Sequence, residues 1–187
     1  MEAEHTSGVR QLHPCTCGPA SVALAFKALG AAGVKEDNFL SEKFKQWLPV
    51  GEFLTRGFAL HELQLVAEVI GENRFEIRLR RAFSENRSLF EQDLKAAVSE
   101  DDQVVVINFT QASILNTEFG TQGDPHFSPI CGYDPVLRSI KVADVDQDIQ
   151  SIYTRTFDQI YRAMETINPA FGLPRGWLRI KKRRHEI

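Results

Sequence analysis

Residues His126–Asp144 read HFSPICGYDPVLRSIKVAD, two largely apolar runs on either side of the turn formers Asp134 and Pro135, which is the pattern of a β-hairpin. With a three-residue loop of Asp134, Pro135 and Val136, His126 falls directly opposite Asp144. Cβ atoms so placed lie about 4.5–5.5 Å apart, within reach of a carboxylate–imidazole hydrogen bond. Ile130 with Ile140 and Ser128 with Val142 then share that face. A bulge near Pro129 would shift the register by one residue. Cys131 faces away from His126 by strand parity and belongs with the core. Taken alone, the hairpin is equally well read as carrying an ordinary His–Asp surface pair.

Working outward, Phe75, Ile77 and Leu79 alternate with Glu76, Arg78 and Arg80, and Val104 to Asn108 is a short apolar run. Both read as strands, the second covered on both faces, and Trp177 to Ile180 adds a final one. The N-terminal part has a different period. CGPASVALAFKAL from Cys17 to Leu29 spells a buried helix stopped by Gly30, and further helices are expected from about Asp37 to Trp47 and from Phe58 to Ile70. Another runs from Leu89 to Val98 behind the capping box Ser88-x-x-Glu91. A last helix starts at Thr156 with the box Thr156-x-x-Gln159 and the stripe Phe157, Ile160, Tyr161 and Met164. Helices first and antiparallel strands afterwards predict an α+β fold. No repeat or linker divides the chain, so residues 1–187 are read as one domain.

Of the 187 residues, 43% are hydrophobic and 25% charged, the balance of a chain that buries a core rather than a disordered or membrane-embedded one. Lys plus Arg number 22 against 25 Asp plus Glu, a net charge of −3 that gives no field for nucleic acid or an acidic membrane surface. The first residues show no basic segment followed by an apolar stretch, which predicts an unexported, cytoplasmic protein. Three cysteines, Cys15, Cys17 and Cys131, do not make a disulfide scaffold and are expected as thiols.

Cys17 sits at the head of the first long helix, where the partial positive charge of the helix end favours a thiolate. Gly18 lets a substrate approach the backbone, and Pro19 in the first turn gives up only an N–H that has no helical partner. A buried, inert cysteine is the plainer reading of that helix by itself. Combined with the hairpin, Cys17, His126 and Asp144 supply nucleophile, base and base-orienting acid, the division of labour of covalent acyl transfer.

These segments resemble a known family. Gln11-Leu-His-Pro-Cys-Thr-Cys17-Gly-Pro-Ala-Ser is similar to the nucleophile segment of phytochelatin synthases, papain-like cysteine enzymes with a glutamine six residues before the nucleophile. His126-Phe-Ser-Pro-Ile-Cys-Gly-Tyr is similar to their histidine motif, and the 18-residue interval to Asp144 matches their catalytic aspartate. The resemblance runs from about Gln11 to Asn168. It implies a papain-like fold, with the nucleophile helix packed across a cleft from the sheet bearing His126 and Asp144. It also implies a triad of Cys17, His126 and Asp144, with Gln11 beside the Cys17 backbone N–H as oxyanion donor. Removing one such donor typically costs about a hundred- to a thousandfold in rate.

The activity so implied is attack on glutathione, release of glycine, and passage of a γ-glutamylcysteinyl thioester to a second glutathione or to water. No cofactor or protein-bound metal is required by that chemistry, since heavy-metal ions enter as thiolate complexes of the substrate. The partner expected is a small peptide or thiol, with no nucleic acid and no membrane, and a homodimer is compatible with the composition. Two departures touch the substrate. The chain has Val145-Asp-Gln-Asp-Ile-Gln-Ser-Ile152 where the plant enzymes are basic and aromatic, and Gln111 where the family tends to have arginine. Glutamine cannot replace the charge with which arginine grips a carboxylate. In lacking a cysteine-rich C-terminal region the chain looks like the short bacterial forms, which tend towards hydrolysis.

Two other functions compete. CGPAS also resembles the nucleophile segment of C39-like peptidases, which cleave leader peptides. Alternatively, Cys15 and Cys17 form a C-x-C that can bind a soft metal, or let Cys15 resolve an oxidised Cys17, in a catalytically silent module. His13 would add a third ligand, but a structural zinc takes four, and a flexible leader is the plainer reading. Lys181 to Arg184 reads as a solvated tail. Gly120-Thr-Gln-Gly-Asp-Pro125 reads as a lip over the cleft. His5, His61 and His185 are assigned no role.

Overall fold

The computed structural model describes residues 10–111, 114, 125–146 and 148–183. Helix α1 (Cys17–Ala28) is followed by 3-10 turns at Glu36–Leu40 and Glu42–Phe44 and by helices α2 (Val50–Arg56) and α3 (Leu60–Gly71). Then come strand β1 (Phe75–Arg81), helix α4 (Arg87–Ser99), and strands β2 (Gln103–Thr110), β3 (Pro125–Asp134), β4 (Ser139–Ala143) and β5 (Ile152–Thr156). Helix α5 (Phe157–Glu165), the short β6 (Ile167–Asn168) and β7 (Leu173–Pro174), and β8 (Gly176–Lys182) complete the described chain. Six strands pair antiparallel in the order β1-β8-β2-β3-β4-β5, and β6 pairs with β7. The expected α+β class is the one observed.

Helices cover the sheet from two sides. Val104, Val106, Phe127, Leu178 and Ile180 join the apolar cluster of α1 and α3, whereas Val105, Ile107, Phe109, Ile140 and Trp177 join that of α4 and α5. Every residue of β2 is therefore buried, which is why its sequence is an apolar run rather than an alternation. Burying a side chain such as Phe90 contributes roughly 1.5–3 kcal/mol, and it packs against Phe157, Tyr161 and Trp177. The α1 helix stops where expected, at Gly30 with φ +90°, a backbone state that suits glycine.

Several expectations are corrected. Asp37–Trp47 is not one helix, because its buried anchors Phe39 and Phe44 are five residues apart and would lie on different sides of an α-helix. An extended Ser41 separates two 3-10 turns instead. Helix α4 begins at Arg87 behind Asn86 with no side-chain cap, so Ser88 lies inside it and Glu91 instead accepts from Tyr133 Oη at 3.2 Å. The Thr156–Gln159 box does form, with Thr156 Oγ1 accepting from the Gln159 N–H at 3.2 Å. The basic run is not a tail. Lys181 and Lys182 belong to β8, and Lys181 pairs with Glu100 at 2.8 Å, while Arg184 lies outside the described residues.

The hairpin register also differs. The pairs are Asp134↔Ser139, Tyr133↔Ile140 and Gly132↔Lys141, then Ile130↔Val142 beyond a shift at Cys131. Asp134 Oδ1 accepts the N–H groups of Val136 and Leu137 at 2.8 and 3.0 Å, an Asx turn that lengthens the loop to Pro135–Arg138. Arg138 closes it at φ +48°. Ile130 therefore opposes Val142, not Ile140, and the bulge lies at Cys131 rather than Pro129.

Candidate active site

Cys17 opens α1 and is buried. Thr16, before it, directs its hydroxyl backwards to the His13 carbonyl at 2.8 Å, so no side chain caps the helix. The first-turn N–H groups are thereby left to face an anion, which is what a thiolate or an oxyanion requires. One turn further on, the Ser21 hydroxyl donates to the Phe127 carbonyl at 2.8 Å. That buried bond ties α1 to the residue after His126. Gly18 strengthens the same contact, since a Cβ there would stand 3.2 Å from Leu63 and 3.4 Å from Phe127.

His126 lies on β3 opposite Phe109 of β2, with the two rings edge to face at 5.4 Å. Its carbonyl accepts from Asn108 Nδ2 at 3.1 Å, and its Nε2 meets Asp144 Oδ1 at 2.8 Å. The observed register carries Asp144, just beyond β4, to a diagonal position rather than a directly opposed one, and an imidazole still spans that distance. With Nε2 engaged by the acid, Nδ1 is the nitrogen left for the Cys17 thiol, which lies near enough to help raise the His126 pKa.

Asp144 is held from four sides. Besides the imidazole, Oδ1 accepts the Asp146 N–H at 2.9 Å and Oδ2 accepts the Tyr153 hydroxyl at 2.9 Å, while its own N–H donates to Ser151 O at 2.8 Å. Burial would raise its carboxyl, but the imidazolium, the Asp146 N–H and Tyr153 hold it below its ordinary value. Burial would likewise depress His126, yet hydrogen bonds and charge from Asp144 and Cys17 raise it from 6.5 to about 10. An imidazolium beside the Asp144 carboxylate is the state these surroundings favour. Tyr153 is pushed up by burial and by Asp144, so it stays a donor.

A cleft of about 340 Å³ opens beside His126, lined by Gln11, Leu12, His13, Pro14, Gln111, Pro125, Asp146 and Asp148. Gln11 is buried, and its amide Nε2 donates to Pro14 O at 3.3 Å. The leader is not loose. The Gln11 N–H donates to Val145 O at 2.9 Å, the Leu12 N–H to Glu36 Oε2 at 3.0 Å, and Arg10 Nη1 to the carbonyls of Asp146 and, at 3.1 Å, of Ile149. The leader is thus laced to the loop that follows Asp144.

Cys15 turns elsewhere, its thiol 3.4 Å from Thr55 O at the end of α2. Cys131 is partly buried against the α1 cluster, away from His126. Among the described residues no group of three or more His, Cys, Asp or Glu side chains could hold a metal ion. The glycine-rich segment 120–124 lies outside the described residues. Ser21 and Tyr153 were missed by sequence reading. Tyr153 would have been found had β5 been read as a strand, since it stands opposite Val142 on β4.

The family model of phytochelatin synthase matches residues 4–177. The chain belongs to the phytochelatin synthase family. Among solved structures it is similar to the crystal structure of a C39-like peptidase from Bacillus anthracis, with a TM-score of 0.61 and 16% identity over 97% of this chain and 96% of that one. At that identity the likeness shows the fold, which is papain-like. No curated protein matches the chain. Family and fold make this member of the phytochelatin synthase family a papain-like cysteine enzyme. Among its described residues no helix is long and apolar enough to cross a membrane.

Proposed function

We propose that the protein cleaves an amide of glutathione or a related small peptide through a thioester on Cys17, passing the acyl group to an amine or to water. The observation that carries this reading is the buried His126 beside a cleft, hydrogen-bonded to Asp144 at 2.8 Å and close enough to Cys17 for the thiol to raise its pKa. The thiolate attacks the scissile carbonyl, forming the C–S bond as the carbonyl π electrons move to oxygen. Collapse expels the amine, which takes its proton from the His126 imidazolium. The neutral imidazole then deprotonates the acceptor, which attacks the thioester and returns the thiolate. In this reading the Cys17 N–H and Gln11, its amide turned from Pro14 to the cleft, stabilise the oxyanion. Divalent heavy-metal ions take part as thiolate complexes of the substrate, and a reducing cytoplasm keeps the cysteine active.

The test is incubation with glutathione and related γ-glutamyl or dipeptide amides, with mass spectrometry of released amine and of the trapped thioester. Cys17→Ala should abolish both, and undiminished amine release by that variant would exclude Cys17 as nucleophile. A second reading, a peptidase acting on leader peptides, is favoured by the likeness to the C39-like structure. It requires cleavage of longer peptides and none of the small amides.

A further inference from the structure

Arg10 stands where two of the segments that line the cleft are tied together. One is the leader, Gln11 to Pro14, and the other is the loop carrying Asp146, which follows the Asp144 that holds the imidazole. A single nitrogen of the half-buried Arg10 side chain, Nη1, donates to the carbonyls of Asp146 and, at 3.1 Å, of Ile149, with that of Asp144 at 3.4 Å. Carbonyl oxygens drawn together in this way repel one another unless a cation lies among them, and hydrogen bonds from a charged donor are the stronger kind. Next along the chain, the Gln11 N–H donates to Val145 O at 2.9 Å, and the Leu12 N–H donates to the buried Glu36 carboxylate at 3.0 Å. The Gln11 backbone is therefore held on both sides, by the acid loop before it and by Glu36 after it.

We propose that Arg10 is a positioning residue for the reaction: by fixing the leader to the acid loop, it places Gln11 so that the side-chain amide can meet the oxyanion formed at Cys17. This rests on the proposed function, in which Gln11 is an oxyanion donor. Arg10 does not line the cleft, so it acts through Gln11 and not on the substrate. The leverage is geometric. A donor must be held within about 0.5 Å of its productive place, and a misplacement of about 1 Å can cost up to about a hundredfold in rate.

The test compares wild type with Arg10→Ala, Arg10→Lys, Gln11→Ala and the Arg10→Ala, Gln11→Ala double variant, all in a Cys15→Ser, Cys131→Ser background. Amide cleavage, alkylation of Cys17 by iodoacetamide and backbone amide exchange by NMR are measured on each. Gln11→Ala should lower kcat about a hundredfold. Arg10→Ala should lower kcat about tenfold with KM within about twofold of wild type, and should cost less than about twofold when added to Gln11→Ala. Because one nitrogen meets all the carbonyls, the ammonium of Arg10→Lys can take the same place and should recover most of the loss. Alkylation displaces iodide and forms no oxyanion, so Arg10→Ala should leave its rate within about twofold of wild type. Full additivity of the two alanine changes overturns the proposal. So does a loss of alkylation that matches the loss of cleavage, since Arg10 would then act through Asp144 or through stability. Exchange reads the anchor without any turnover: in Arg10→Ala the Gln11 N–H should lose protection by about tenfold or more while α1 and β3 keep theirs, and unchanged protection overturns the proposal. A wild type that cleaves none of the amides fails the proposed function, whereas exchange alone decides whether Arg10 holds the leader.

Discussion

The strand side of the cleft and the helix side are fixed by different forces. Asp144 and His126 are set by directional bonds: the carboxylate accepts from the imidazole, from Tyr153 and from the Asp146 N–H. Cys17 is set by close packing, with Gly18 against Leu63 and Phe127 and one buried hydroxyl bond from Ser21. In the proposed reaction the base must hold a tautomer and a charge, for which hydrogen bonds are specific. A nucleophile must hold a position, for which a tightly packed helix suffices. Damage on the strand side should therefore change chemistry and its pH dependence, and damage on the helix side should change stability and geometry.

The largest effect tests the strand side. Asp144→Asn should lower amide cleavage by about a thousandfold and the rate of Cys17 alkylation by iodoacetamide by about tenfold, because the imidazolium loses its counter-charge. An effect on cleavage below tenfold would remove Asp144 from the base. Next, His126 is raised from 6.5 to about 10, so its contribution to stability is complete below about 6.5 and is lost as pH climbs through about 10. The lowered Asp144 contributes above its ordinary value of 3.8 and fails only as pH drops through its lower folded value. The difference in urea midpoint between wild type and His126→Ala should therefore shrink steadily from pH 6 to pH 10. A difference that widens over that range would mean a neutral imidazole in the fold.

Tyr153→Phe keeps the ring and removes one of the bonds to the Asp144 carboxylate, worth about 1.5–3 kcal/mol for a bond to a charged group. Activity should fall about tenfold, with the basic limb of the pH–rate profile moving to lower pH as the pair loosens. A purely structural tyrosine would leave that limb in place. Ser21→Ala should be the mildest, about 1 kcal/mol of stability from an unsatisfied buried carbonyl and a few-fold loss of rate with an unchanged pH profile.

The contrast also explains what was legible. The packed elements were: the α1 helix, the β2 run and the Thr156 box each carry their cause within a dozen residues. The α+β class and the papain-like fold followed from them and from the resemblance. Elements set by distant bonds were not. The Asp134 Asx turn, the left-handed Arg138 and the bulge at Cys131 together moved the hairpin register, because each depends on a side chain competing with the ladder. His126 and Asp144 still meet, since the diagonal position is also within reach. Glu91 left its expected box for Tyr133 and Lys95, partners that neighbouring residues do not announce. Tyr153 went unread because β5 is an edge strand whose polar residues mask its alternation.

Strand β8, drawn from residues 176–182, lies between β1 and β2 in the middle of the sheet. During synthesis, the sulfur-bearing helix and the imidazole hairpin therefore emerge from the ribosome well before the piece that joins the two flanks. Translation that halts before Gly176 removes a keystone rather than a fringe. Its loss would unpair both neighbours at once, leaving β1 attached to the rest of the fold only through the helices packed on it.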